Sequence, residues 1–245
     1  MLIEMKCSTD CMKHYLLTLT LTAVVTAFSS PASAGDISGK VVLKGTPKPE
    51  IDITLGDICG KLNPSKVTTR HYVVGKDAGL ANVFVYLKDA KAAPATGQSP
   101  LLDQIGCMYE PYVMGVVAGQ KFKVKNSDAT LHNVHATPKI NKEFNFGQPL
   151  KDQVNEKVFD LAEVLIRVKC DVHPWMFAYI GVVDHPYFAV TDKDGNFSIS
   201  GVPDGKYTVV AYHLKTHGAN VGLTASVDVK GSAKQNFTVE LAPAP

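Results

Sequence analysis

Surplus charge is scarce in this chain. Twenty-five Lys and Arg face 23 Asp and Glu, for a formal net charge of +2. No basic cluster marks a nucleic-acid surface. Beyond the first thirty or so residues no apolar run is long enough to cross a membrane. Helical periodicity is missing too, and only Glu156 to Glu163 could hold a turn or two. A Cys-x-x-Cys-His string is absent, which excludes c-type haem attachment. Cysteine itself is sparse, five in 245 residues, and there is a single tryptophan.

The N-terminal stretch reads as a leader. Lys13 and His14 precede the apolar run Tyr15–Phe28, and Ser-Ser-Pro-Ala-Ser-Ala34 ends in small residues before Gly35. That order of positive, apolar and small segments is a secretory signal with a cleavage site. Residues 1–34 are therefore expected to be removed, and the protein is expected to be periplasmic or secreted, with no membrane span left. Cys59, Cys107 and Cys170 remain. An odd count in an exported chain asks for one pair and one thiol with another task. Cys170 has metal-like neighbours, so Cys59–Cys107 is the expected disulfide.

What is plentiful is short β-rich runs: Val41-Val-Leu, Val83-Phe-Val-Tyr-Leu87, Lys121-Phe-Lys-Val-Lys125 and Val164–Cys170. Turn signals such as Gly119-Gln120, Asn126-Ser127-Asp128, Asp194-Gly195 and Asp204-Gly205 separate them. The expected class is all-β, built from sandwiches. Two patterns are interleaved. Residues 36–47, Leu80–Leu87 and Ala189–Ala211 share one, with Thr191-Asp-Lys-Asp-Gly195-Asn-Phe and Val202-Pro-Asp-Gly205-Lys-Tyr207 as its clearest part. This pattern resembles the carboxypeptidase regulatory-like, transthyretin-like β-sandwich family. Between its parts lies a different pattern, so the expected domains are 35–98 and 186–245 for the first sandwich and 99–185 for the second. The second is inserted in the first or adjacent to it in tandem.

The densest chemistry is Cys170-Asp-Val-His173-Pro-Trp-Met176, between the β-rich runs Val164–Lys169 and Ala178–Val183. A thiolate, an imidazole and a thioether on one tight loop form a copper-selecting set. Trigonal His2Cys with a long axial methionine is the blue-copper arrangement. Zinc rarely takes methionine. The missing histidine comes from Leu131-His132-Asn133-Val-His135. His132 and His135 are three apart and would face opposite sides of a strand. His132 is the preferred ligand and His135 the competitor.

Residues 107–183 here resemble the cupredoxin family, its amicyanin and plastocyanin members above all, through the Asn126-Ser-Asp128 string, His132-Asn-Val-His135 and the Cys-x2-His-Pro-aromatic-Met loop. The resemblance implies a Greek-key sandwich holding one mononuclear type 1 copper, with His132, Cys170, His173 and Met176 as ligands. It implies that Asn133 ties the two loops together and turns its backbone N–H to the thiolate. It implies that His173 lies nearest the surface, with Pro174 and Trp175 in an apolar docking patch for redox partner proteins. His185 is expected to be structural, and His71, His213 and His217 to lie on the surface. The implied function is single-electron carriage, with no catalytic residues and no small-molecule substrate. The alternative is copper storage or delivery, although no Met/His-rich tract is present. A multicopper enzyme would need His-x-His strings that the chain lacks.

Overall fold

A computed structural model describes residues 34–215 and 222–241. The expected leader, apart from Ala34, lies outside the described residues, as does His217. The described residues form one compact unit, and it is almost entirely β. In chain order the strands are β1 (Ala34–Lys44), β2 (Phe84–Leu87), β3 (Leu101–Ile105), β4 (Met108–Glu110), β5 (Val113–Val117), β6 (Phe122–Asn126), β7 (His132–Thr137), β8 (Phe144–Gln148) and β9 (Val154–Lys157). They continue with β10 (Glu163–Lys169), β11 (Phe177–Val183), β12 (Phe188–Val190), β13 (Asn196–Pro203), β14 (Gly205–Tyr212), β15 (Leu223–Val229), β16 (Ala233–Lys234) and β17 (Phe237–Glu240). The one α-helix among the described residues, α1, spans Asp57–Leu62. The stretch expected to hold a helical turn, Glu156–Glu163, instead finishes β9 and opens β10. Alternation explains this: β9 buries nothing fully and serves as an edge against β6, so its polar residues mimic a helix pattern.

Four sheets result. β13–β1–β16, extended by β17 beside β1, faces β12–β2–β14–β15 across a core of Ile37, Val41, Leu87, Ile199, Val209 and Val239, among others. The sheets β5–β11–β10–β7–β8 and β4–β3–β6–β9 enclose a second core that includes Leu102, Phe122, Val134, Ile166, Cys170 and Met176. Period-two alternation directs both sets inward. Every strand of the second pair of sheets lies between Leu101 and Val183, and every strand of the first lies outside that range. The chain leaves after β2 and returns at β12, and these two strands pair directly, Val85 opposite Ala189.

The two cores meet at a slot made by absent side chains. Gly115 on β5 and Gly181 on β11 are register partners. A Cβ at Gly181 would stand 2.5 Å from the Phe84 ring, and one at Gly115 would stand 2.2 Å from Phe188. The two phenyl rings, 5.7 Å apart, therefore press onto bare backbone. Gly181→Val forces Phe84 out of place. Overpacking of this kind costs about 1–3 kcal/mol, and a lowered urea midpoint with unchanged slope is the expected reading.

Candidate metal centre

The site forms where the five-stranded sheet ends. β10 and β11 are antiparallel, Lys169 opposite Phe177, so residues 170–176 form the loop that joins them. The loop closes on itself: Cys170 N–H donates to the Met176 carbonyl and Met176 N–H to that of His173, each at 2.9 Å. β10 also pairs with β7, Lys169 opposite His135, which sets His132 beside the loop.

Alternation along β7 separates the two histidines. His132, Val134 and Ala136 are buried, while Asn133, His135 and Thr137 turn outward. His132 is fully enclosed and its Nδ1 lies 3.0 Å from Nδ1 of His173. Cys170 Sγ is 3.6 Å from the same His173 nitrogen. One donor atom from each of the three residues falls within 4.8 Å of the others. Met176 is fully buried in the same core as Cys170. His135 points away and is held between Asp171, at 2.8 Å, and Glu143, at 2.7 Å.

Hydrogen bonds fix this geometry. Asp171 N–H donates to Asn133 Oδ1 at 2.5 Å, and Asn133 Nδ2 donates to Asp171 Oδ2 and to Asn145 Oδ1. The Asn133 side chain thus joins the strand to the 170–176 loop, and its backbone N–H reaches the Cys170 sulfur. Tyr109, buried on β4, donates its hydroxyl to the Asn133 carbonyl at 2.7 Å. Burial, then the nearby Cys170 and Asp171, push its phenol upward, so it stays a neutral donor.

The residue that spacing did not single out is Asp128. It is 3% exposed and its Oδ2 lies 2.9 Å from His132 Nε2. The same carboxylate accepts from Gly106 N–H at 2.7 Å and Cys107 N–H at 2.8 Å. Those two residues are the two-residue turn between β3 and β4, with φ of 61° and 56°. Positive φ at both positions is what a type I′ turn requires. Asp128 so clamps a strained turn on one side and orients the His132 imidazole on the other. A carboxylate on the far nitrogen of a ligating histidine is a familiar support for a metal. In the sequence Asp128 stands out only as part of the Asn126-Ser-Asp128 string, which assigns it no contact with His132.

The titration behaviour fits a donor set. Burial pushes the Cys170 thiol up, but bonds from His132 and from the Asn133, His173 and Val172 N–H groups outweigh it and leave it lowered. Burial lowers His132, yet the Asp128 and Cys170 bonds leave it raised. Burial, then the charge of His132, hold His173 down, so that it offers a free lone pair.

The surroundings of His173 depart from an open edge. Trp175 is half-buried, donates its indole N–H to the Cys107 carbonyl at 3.1 Å, and sets its ring 5.3 Å from the His173 ring. Cys107 is disulfide-bonded to Cys59 of α1, which brings the chain from before β2 up to His173. Pro174 is exposed. Among the other histidines, buried His185 meets the Leu87 carbonyl at 2.7 Å. His213 is 3% exposed and stacks on Tyr72, so it is not the surface residue expected. His71 is half-buried rather than free on the surface.

The imidazole and thiolate donors converge with no cation or second carboxylate among them, and the residues fit a soft single-metal site. No helix among the described residues is long and apolar enough to cross a membrane. No protein-family model matches the chain, and no curated protein does either. Solved structures do. A purple cupredoxin from Nitrosopumilus maritimus is 19% identical over 34% of this chain and 99% of its own, with a TM-score of 0.29. A reduced single-residue mutant of amicyanin is 22% identical over 40% of this chain and 97% of its own, with a TM-score of 0.31. A copper-containing nitrite reductase from Thermus scotoductus is 18% identical over 38% of this chain but only 24% of its own length, with a TM-score of 0.30.

Proposed function

We propose that this protein is an exported single-electron carrier of cupredoxin type, with one mononuclear copper held by His132, Cys170, His173 and Met176. The observation that carries the reading is the convergence of the two Nδ1 atoms, 3.0 Å apart, on the Cys170 sulfur. Copper, when bound, supplies a one-electron couple between Cu(I) and Cu(II). The chain supplies a fixed cage. Asp128 and Asn133 hold the donors in place, and the enclosed pocket limits rearrangement between the two oxidation states. His132 is raised by Asp128 and Cys170 against the lowering effect of burial, so a metal competes with a proton there more strongly than at a free imidazole. Metal uptake therefore strengthens as pH rises. The disulfide suits an oxidising compartment. Its partners are redox proteins, it has no small-molecule substrate, and it is not an enzyme. Delivery of copper as cargo is less well supported, because His132 is 0% and Cys170 3% exposed.

The test is a visible and EPR spectrum of the copper-loaded protein. Intense sulfur-to-copper absorption with narrow hyperfine splitting is expected. A pale protein with ordinary square-planar EPR sinks the reading.

A further inference from the structure

A second group of donor atoms lies against the first. The sulfurs of Cys59 and Cys107 and a ring nitrogen of His173 all fall within 4.8 Å of one another. The proposed electron carrier uses neither sulfur. Cys59 comes from α1 and Cys107 from the β3–β4 turn, and their Cα atoms are 5.6 Å apart. Two thiolates on one tetrahedral ion, with metal–sulfur bonds of about 2.3 Å, stand about 3.8 Å apart. Side-chain rotation reaches that spacing from the present backbone.

We propose that reduction of the Cys59–Cys107 bridge creates a soft-metal site from Cys59, Cys107 and His173. The step needs an external dithiol. Its two electrons break the S–S bond, the dithiol closes to its own disulfide, and two cysteine thiols form. Each thiol loses its proton when it binds a thiophilic cation such as Cu(I), Zn(II) or Co(II). The helix is where a reductant gains entry: α1 is six residues long and Ile58 on it is 60% exposed. Local opening there bares Cys59 while the Asp128 clamp keeps the Cys107 turn in place. His173 belongs to both donor sets, so a cation seated in one removes a ligand from the other. The state of the bridge thereby decides whether His173 serves the His132–Cys170 pocket alone or is shared with a second one.

Co(II) is the probe, because thiolate-to-cobalt absorption reports sulfur ligation directly. The full chain carrying Cys170→Ser, with Cys7→Ser and Cys11→Ser to remove the leader thiols, is reduced with dithiothreitol, desalted without air and titrated. It should bind one Co(II) with thiolate charge-transfer absorption. The same protein left oxidised should show none, and adding Cys59→Ser with Cys107→Ser should abolish the band. A reduced Cys170→Ser protein without the band overturns the proposal, as does a band that survives loss of both bridge cysteines. Wild-type protein gives a reading that requires no variant to fold. In its reduced form, Co(II) should block alkylation of Cys59 and Cys107 by iodoacetamide, and equal labelling with and without the metal overturns the proposal. Failure of the electron-carrier reading shows separately, as a missing blue colour in oxidised, copper-loaded wild type.

Discussion

Cys170→Ser should give a colourless protein. The thiolate is the source of the absorption expected of the copper-loaded site, and a serine hydroxyl offers a harder, far more weakly acidic donor. The loss should reach beyond colour. Even a residue that merely orients a ligand is worth about 10–100-fold in metal affinity, so loss of the sulfur itself should exceed that in a copper competition titration. Three companions sharpen the result. Met176→Leu should keep both copper and colour and raise the potential. His132→Ala should lose the colour and His135→Ala should keep it, since His135 faces Asp171 and Glu143 instead of the pocket. The reverse pattern for the two histidines would reassign the ligand.

Asp128→Ala should be the most destabilising change near the site. It strands two N–H groups of a strained turn and one imidazole nitrogen, all interior. Removing one member of a buried pair costs about 3–5 kcal/mol, to be read from urea unfolding of the metal-free protein. The acid limb carries a second signal. Burial pushes the Asp128 carboxyl up, but the bonds from His132, Cys107 and Gly106 more than reverse this and leave it lowered. A carboxylate lowered by folding stabilises the protein above its unfolded pKa, about 3.9. That contribution disappears as pH falls through the folded value. His132 is raised, so its share is complete below about 6.5 and fades as pH rises through its folded value. Metal-free wild type should thus be most stable between the two, and Asp128→Ala should flatten both limbs. Unchanged limbs in the variant would remove Asp128 as their origin.

Both results depend on how unevenly the site shows itself in sequence. Cys170, His173 and Met176 were legible because one loop carries all three, and local spacing is what a sequence displays. His132 was legible through alternation, which β7 obeys residue by residue. Asp128 was not, because its importance comes from meeting the β3–β4 turn, more than twenty residues away in the chain. The pairing of Cys59 with Cys107 could be inferred by counting, but its position against His173 could not, since nothing local says that α1 folds over the ligand loop. Trp175 illustrates the same gap: nothing local says that its indole N–H donates to the Cys107 carbonyl. The all-β class followed from turn chemistry and alternation, while the helical turn expected at Glu156–Glu163 failed because an edge strand with a solvated face lacks a strong period-two signal.

The pairing of β1 sets an order of events during synthesis. Its partners are β13, β16 and β17, and the last of these ends at Glu240. Apart from its bridge to Gly79, this first of the described strands therefore waits for its strand partners until nearly the whole chain has been made. The stretch from Leu101 to Val183 needs nothing outside itself to pair its strands. This stretch can thus close early, while the sheet around β1 still has open edges, and contacts so distant in sequence form slowly. A released fragment ending near residue 190 should already protect the 170–176 loop from protease and leave β1 open to cleavage.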